Sequence, residues 1–226
     1  MRSKNKIFKL SFAGVFAALA YISTFVIYIT VAGFLTYDVK DALIAVCAMI
    51  LGPIYGIAIS LIVSFIEMLT VSGTLFWGFL MNFISSAVFC ATAALIYKRI
   101  GKLWGAFLGL GTSVVVTTAV MVLMNIVITP IYVGQPRKVV LALIPTILLP
   151  FNLTKALLNA GLVLALYKPL ITALRAAKCL PASEKEQDSG VKSIFNLRSL
   201  IVIIVAVIII AASLAYMIFG LNGSFG

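Results

Sequence analysis

Apolar residues run along this chain in blocks of membrane-spanning length, separated by short polar breaks. The blocks fall at about 10–31, 41–52, 54–71, 78–97, 103–130, 145–167 and 199–219. A helix needs about 20 largely apolar residues to cross a bilayer. The strand-length alternation of an outer-membrane barrel is absent, so helices are the remaining way to satisfy the backbone in lipid. Gly52-Pro53 splits the second block from the third, because proline lacks the amide donor that would continue a helix. The block 41–52 is too short to cross alone unless tilted or sheltered by protein. The first block follows Arg2, Lys4, Lys6 and Lys9 and carries small residues near Ala18 to Ala20, as a secretory signal does. It runs on to about Leu35, past a signal core, and reads as a first span. Between 168 and 198 the pattern breaks down, and Lys178 to Gly190 is polar with Pro, Ser and Gly, which predicts a flexible linker. The expected organisation is a membrane domain at 1–175, a polar cytoplasmic linker at 176–198, and an additional C-terminal transmembrane helix with a short tail at 199–226. The fold class is an all-α integral membrane protein.

Composition supports that class. Of 226 residues, 63% are hydrophobic and 10% charged, and the mean hydropathy is +1.22. A soluble domain carries roughly a quarter charged residues. The net charge of +11 reports topology. With the N-terminus inside, thirteen of the 17 Lys and Arg fall in inner loops: the N-terminus, Lys98 to Lys102, and 168–198. Lys40, Arg137 and Lys138 fall outside, and Lys155 lies within a span. The charge therefore predicts no nucleic-acid partner, and a surface for acidic lipid is its plain addition.

Several chemistries drop out. With no histidine there is no imidazole relay or histidine metal site, and Cys47, Cys90 and Cys179 form no CxxC pair. Neither a Walker A loop nor a nucleophile elbow occurs. Nothing supports an enzyme, a metal or a resident cofactor. The informative residues are polar groups inside spans, which are costly there and face a bundle interior or a cavity. Asn152, Lys155 and Asn159 lie within about 60° of one another on a helix. Thr118, Asn125 and Thr129 share a second face, Asn82 and Ser85 a third, and Ser60, Ser64 and Glu67 a fourth. Each stripe reads either as a ligand wall or as interhelical hydrogen bonding, with Lys155 snorkelling to the outer interface in the second case. Glu67, near the outer end of its span, is expected to face solvent.

Two neighbouring motifs carry a family resemblance. Asn125-Ile126-Val127-Ile128-Thr129-Pro130-Ile131-Tyr132 and Pro150-Phe151-Asn152-Leu153-Thr154-Lys155 resemble the fifth- and sixth-helix motifs of riboflavin-specific S components of energy-coupling-factor (ECF) transporters. Asp38-Val39-Lys40-Asp41, Gly52-Pro53-Ile54-Tyr55-Gly56, Asn82-Phe83-Ile84 and Ala94 to Arg99 resemble its other segments, in order, over about residues 8–172. The resemblance implies a six-helix S-component bundle in a bacterial cell membrane, N-terminus cytoplasmic, that captures riboflavin from outside. It implies as partners an ECF transmembrane subunit and two ATPase subunits. Carried over by motif, Asn125, Asn152 and Lys155 touch the flavin, Asn82 accompanies them, and the loop around Asp38 closes over the site. Ala13 and Ala17 resemble the family's A-x-x-x-A docking pattern in helix one, whose other reading is a contact within the bundle. The chain departs from the pattern at Val63-Ser64, Phe79 and Leu43, which leaves open another small vitamin, or a stand-alone secondary transporter or membrane scaffold. The block 199–219 has no counterpart in the six-helix core; a crossing there would put the C-terminus outside.

Overall fold

The apolar blocks fold as helices in the computed structural model, which describes residues 2–26, 28–71, 73–101, 103–176 and 197–225. They are α1 (Arg2–Ser23), α2 (Lys40–Leu51), α3 (Pro53–Thr70), α4 (Leu75–Ile100), α5 (Leu103–Val133), α6 (Arg137–Leu143), α7 (Leu149–Ala176) and α8 (Leu197–Ala215). Wide π turns at Ile144–Leu148 and Tyr216–Gly220 join α6 to α7 and extend α8. Among the described residues, six helical stretches are long and apolar enough to cross a membrane: α1, α3, α4, α5, the α6–α7 run and α8. The polar stretch read as a linker lies, from 177 to 196, outside the described residues.

The short second block is sheltered. Nine of the twelve residues of α2 are buried, and it packs against α1, α3, α4 and α7. It is the axis of the bundle, and its Ala42, Ala45 and Ala48 let the neighbours come close. Gly52 turns the chain from α2 into α3 with φ 117°, a conformation that a side chain rarely adopts, and Pro53 opens α3. One turn on, a Cβ on Gly56 would stand 2.6 Å from the Ala48 Cβ and 2.9 Å from the Cys90 Sγ. Gly56→Leu is therefore expected to wedge α2, α3 and α4 apart at a cost of about 1–3 kcal/mol. A thermal unfolding midpoint equal to the parent's in detergent would disprove that close approach.

The helices are polar inward and apolar outward. On α3, Leu61, Ile62, Phe65 and Leu69 are exposed, while Ser60, Ser64 and Glu67 are buried. The same holds on α5, where Val115, Leu123 and Val127 face out and Thr118, Asn125 and Thr129 face in. Lipid solvates such outer faces, so packing and internal hydrogen bonds hold the bundle.

One expectation is corrected at the first block. It does not stay helical to residue 31, because α1 stops at Ser23. The Ser23 and Thr24 hydroxyls donate to the Ala20 and Tyr21 carbonyls, both at 2.7 Å. The chain then forms a hairpin of β1 (Tyr28–Val31) and β2 (Leu35–Asp38), paired from Tyr28↔Asp38 to Val31↔Leu35. Ala32 and Gly33 turn it with φ of 53° and 77°. Four β-branched residues (Ile29, Thr30, Val31 and Thr36) favour the pleat over a helix. A third strand, β3 (Ser224–Phe225), adds to β1, giving the order β2-β1-β3. The additional C-terminal helix α8 packs on α7, and its far end returns the chain to the hairpin.

Candidate functional site

Pro145 and Pro150 bracket the wide turn before α7. Each lacks an amide hydrogen, so the helical ladder cannot close normally through this stretch. The turn delivers Asn152 and Lys155 to the end of the bundle beneath the hairpin. There a cavity of about 260 Å³ lies between the hairpin, the start of α2, the end of α3, the first half of α4, the second half of α5 and the first turns of α7. Asp38, Asn82, Asn125, Asn152 and Lys155 all line it. Five residues from four separate motifs thus converge on one space.

Their geometry distinguishes their roles. Asn125 donates through Nδ2 to the Met121 carbonyl at 2.7 Å and accepts from Thr129 Oγ1 at 2.8 Å. Asn152 donates to the Leu148 carbonyl at 2.7 Å. Among the described residues its Oδ1 has no protein partner. Lys155 is buried, not snorkelling, and its Nζ lies 3.3 Å from the Thr36 carbonyl of β2 and 4.0 Å from Asp41 Oδ2. Asn82 donates to Glu67 Oε2 at 3.3 Å.

Beneath these lies an ionic cluster that the sequence reading missed. Against the expectation of an outer-loop charge at Lys40 and a solvent-facing Glu67, both are buried, at 1% and 5% exposure. Lys40 Nζ sits 3.0 Å from Asp38 Oδ2 and 2.8 and 2.7 Å from the two Glu67 oxygens. A carboxylate at this depth persists only with a counter-charge, and Lys40, not Lys155, supplies it. Asp41 accepts hydrogen bonds from Ser86 Oγ and, at 3.4 Å, from Asn159 Nδ2. Asn159 also accepts from the Tyr37 hydroxyl at 3.4 Å. Three carboxylates and two ammonium groups thus share the cluster. At its hairpin edge, burial pushes the Asp38 carboxyl up, but the Lys40 and Lys155 charges and the Lys40 hydrogen bonds outweigh it. They hold the group below the usual carboxylate range. Burial first, then Asp38 and Asp41, pushes the Tyr37 phenol above its ordinary value, so it stays a neutral donor. The sequence held part of the signal, though not the pairing with Glu67: Asp38, Lys40 and Asp41 stand where the hairpin passes into an apolar helix, and intramembrane charges pair with one another.

Phe34, Met121, Tyr132 and Phe151 give the cavity apolar walls, and Thr24, Tyr28, Thr30 and Thr36 add hydroxyls. A few fixed polar groups among flat apolar surfaces suit one small, planar, hydrogen-bonding molecule. The described residues hold no group of His, Cys, Asp and Glu placed to ligate a metal ion.

Ala13 and Ala17 lie on α1. Ala13 is buried in the core with Phe16 and Ala20, and Ala17 packs against the same cluster. For Ala13 the structure gives the contact within the bundle. The outward face of α1 is carried instead by Gly14, Val15, Ala18 and Leu19.

Comparison with known proteins agrees with this architecture. The family model for the substrate-specific component of ECF transporters matches residues 8–167. A solved structure of the S component of a bacterial ECF transporter superposes with a TM-score of 0.65 and 26% identity, covering 76% of this chain and 99% of that one. No curated protein matches the sequence.

Proposed function

The chain belongs to the family of substrate-specific components of ECF transporters, and from that premise we propose that it captures riboflavin, or a close flavin, from outside the cell. The observation that carries the reading is the convergence of Asn82, Asn125, Asn152 and Lys155 on one cavity of about 260 Å³. A flavin ring has carbonyl edges for the Lys155 ammonium and amide edges for the asparagines. Its flat body suits Phe34, Met121, Tyr132 and Phe151. The hydroxyls of Thr24, Tyr28 and Thr30 match a polyol tail. The ligand then passes inward when the chain docks on an ECF membrane subunit driven by two ATPase subunits, with the N-terminus on the cytoplasmic side.

Titration of purified protein with riboflavin is expected to quench flavin fluorescence to a 1:1 end point. Mass spectrometry of molecules retained on the protein should identify the same compound. Retention of a different vitamin, with no quenching, would overturn the flavin reading and leave the family standing. For the partner, the exposed face of α1 is the proposed docking surface. Gly14→Leu, where a side chain meets open space within this chain, should lose the copurifying ATPase module and keep the ligand. Retention of the module would move the docking surface elsewhere.

A further inference from the structure

The hairpin that roofs the cavity is not self-sufficient. An isolated two-stranded hairpin is marginally stable at best, and a third strand or a packed apolar face is what makes it persist. This chain supplies both from its C-terminal end. β3 pairs with β1, Ile29 opposite Phe225 and Thr30 opposite Ser224, which turns β1 from an edge strand into the centre of the sheet. Met217, in the wide turn that extends α8, is fully buried among Ile29, Val31, Leu35 and Tyr37 of the hairpin, Leu148 of the turn before α7, and Phe151 and Leu158 of α7. Leu214 and Leu221 pack on the same cluster. The approach is tight. A Cβ on Gly223 would stand 2.7 Å from the Met217 carbonyl oxygen and 3.0 Å from the Ile29 Cγ2. Lower down, a Cβ on Gly161 of α7 would stand 2.9 Å from the Ile210 Cγ1 of α8. The helix is therefore seated along α7, and its end reaches the roof of the site. The α8 helix, Met217, Gly223 and β3 lie beyond residue 167, where the match to the family ends.

The same hairpin faces the cavity from its other side. Tyr28, Thr30, Thr36 and Asp38 line it, and Lys155 reaches the Thr36 carbonyl. The hairpin covers a ligand there from this side, so loosening the hairpin widens the route out. We infer that α8 and the strand after it form an intramolecular clasp that holds the hairpin closed and sets how long a ligand stays. Met217, Gly223 and the Ser224–Phe225 strand are positioning residues, acting through the hairpin and not by touching ligand. The inference rests on the proposed binding site for its ligand readout, but not for its structural one.

Two full-bundle variants test it: a truncation after Gly220, which removes β3 and leaves α8 and Met217, and Gly223→Val, which pushes the strand off. Amide hydrogen exchange across 28–38 and the riboflavin dissociation rate are measured for each against the parent. Loss of two cross-strand pairs is expected to speed riboflavin release roughly tenfold or more. It should also speed exchange in the hairpin while leaving exchange in α2 and α3 unchanged. Unchanged exchange at 28–38 in both variants would overturn the clasp, as would faster exchange with an unchanged release rate. Faster exchange with no riboflavin binding by any form, the parent included, would support the clasp and sink the flavin reading.

Discussion

Lys40→Met is expected to be the most damaging single substitution in this protein. The Lys40 ammonium is almost wholly buried and serves two carboxylates at once, Asp38 at the end of the hairpin and Glu67 on α3. Methionine keeps the length of the stem and removes the charge. The two carboxylates then face each other without their shared partner, and breaking a buried pair in this way costs about 3–5 kcal/mol. The consequence is local as well as global. The Asp38 carboxylate also accepts from the Lys40 backbone amide at 3.2 Å, so it starts α2 and anchors the hairpin together. A lower unfolding midpoint and loss of ligand binding should therefore appear in the same variant. The pH behaviour has a definite sign. The Asp38 carboxyl is held below its ordinary value, so its contribution is complete above about pH 4 and is lost as pH falls through the lowered value. Without Lys40 that loss moves to higher pH. The triple variant Lys40→Met, Asp38→Asn, Glu67→Gln removes the uncompensated charge and should recover most of the stability without recovering binding. A single variant that melts with the parent would show that the three groups are not paired.

The fold was legible where one physical cause dominated. Block length placed the crossing helices, because the bilayer sets that length whatever the packing. The Gly52-Pro53 break was legible because only backbone chemistry is involved. The hairpin was not. Residues 24–31 are as apolar as the helix before them, and hydropathy alone cannot separate a strand from a helix over so short a run. Only the β-branched residues and the Gly33 turn pointed to it. The site divides in the same way. Asn125, Asn152 and Lys155 stood out as polar groups deep in spans and as motif residues. Lys40 and Glu67 did not, because each lies near the end of an apolar block, where sequence cannot distinguish a wetted charge from a buried one. Their pairing is a tertiary fact that brings together residues 27 apart in sequence. The role of the last helix was equally illegible. Its composition says that it crosses, and only the β3 pairing shows where its end goes.

Lys155→Met is expected to weaken riboflavin binding by roughly a hundredfold, against roughly tenfold for Asn152→Ala. The difference follows from what each side chain is already doing. A hydrogen bond from a charged group contributes about 1.5–3 kcal/mol, a neutral one about 0.5–1.5 kcal/mol. Asn152 gives one amide hydrogen to the Leu148 carbonyl, so a ligand draws on the rest of a neutral amide, and alanine removes a neutral contact. Lys155 contributes a full charge to the cavity, holds the Thr36 carbonyl of the roof, and stands as the nearest counter-charge to Asp41. Methionine removes all three, and Asp41 keeps the Ser86 and Asn159 hydrogen bonds and the weaker influence of the Lys40 charge. The lost affinity thus has a direct part and a part routed through the hairpin. Adding the truncation after Gly220 separates them. If the roof contact carries most of the effect, truncation and Lys155→Met will be less than additive, because both release the same hairpin. If the ligand contact carries it, their effects on affinity will add. In both cases the Asn152→Ala protein should melt close to the parent, since its backbone contact is local to α7. Parental riboflavin affinity in folded Lys155→Met and Asn152→Ala proteins would remove the flavin from this cavity altogether.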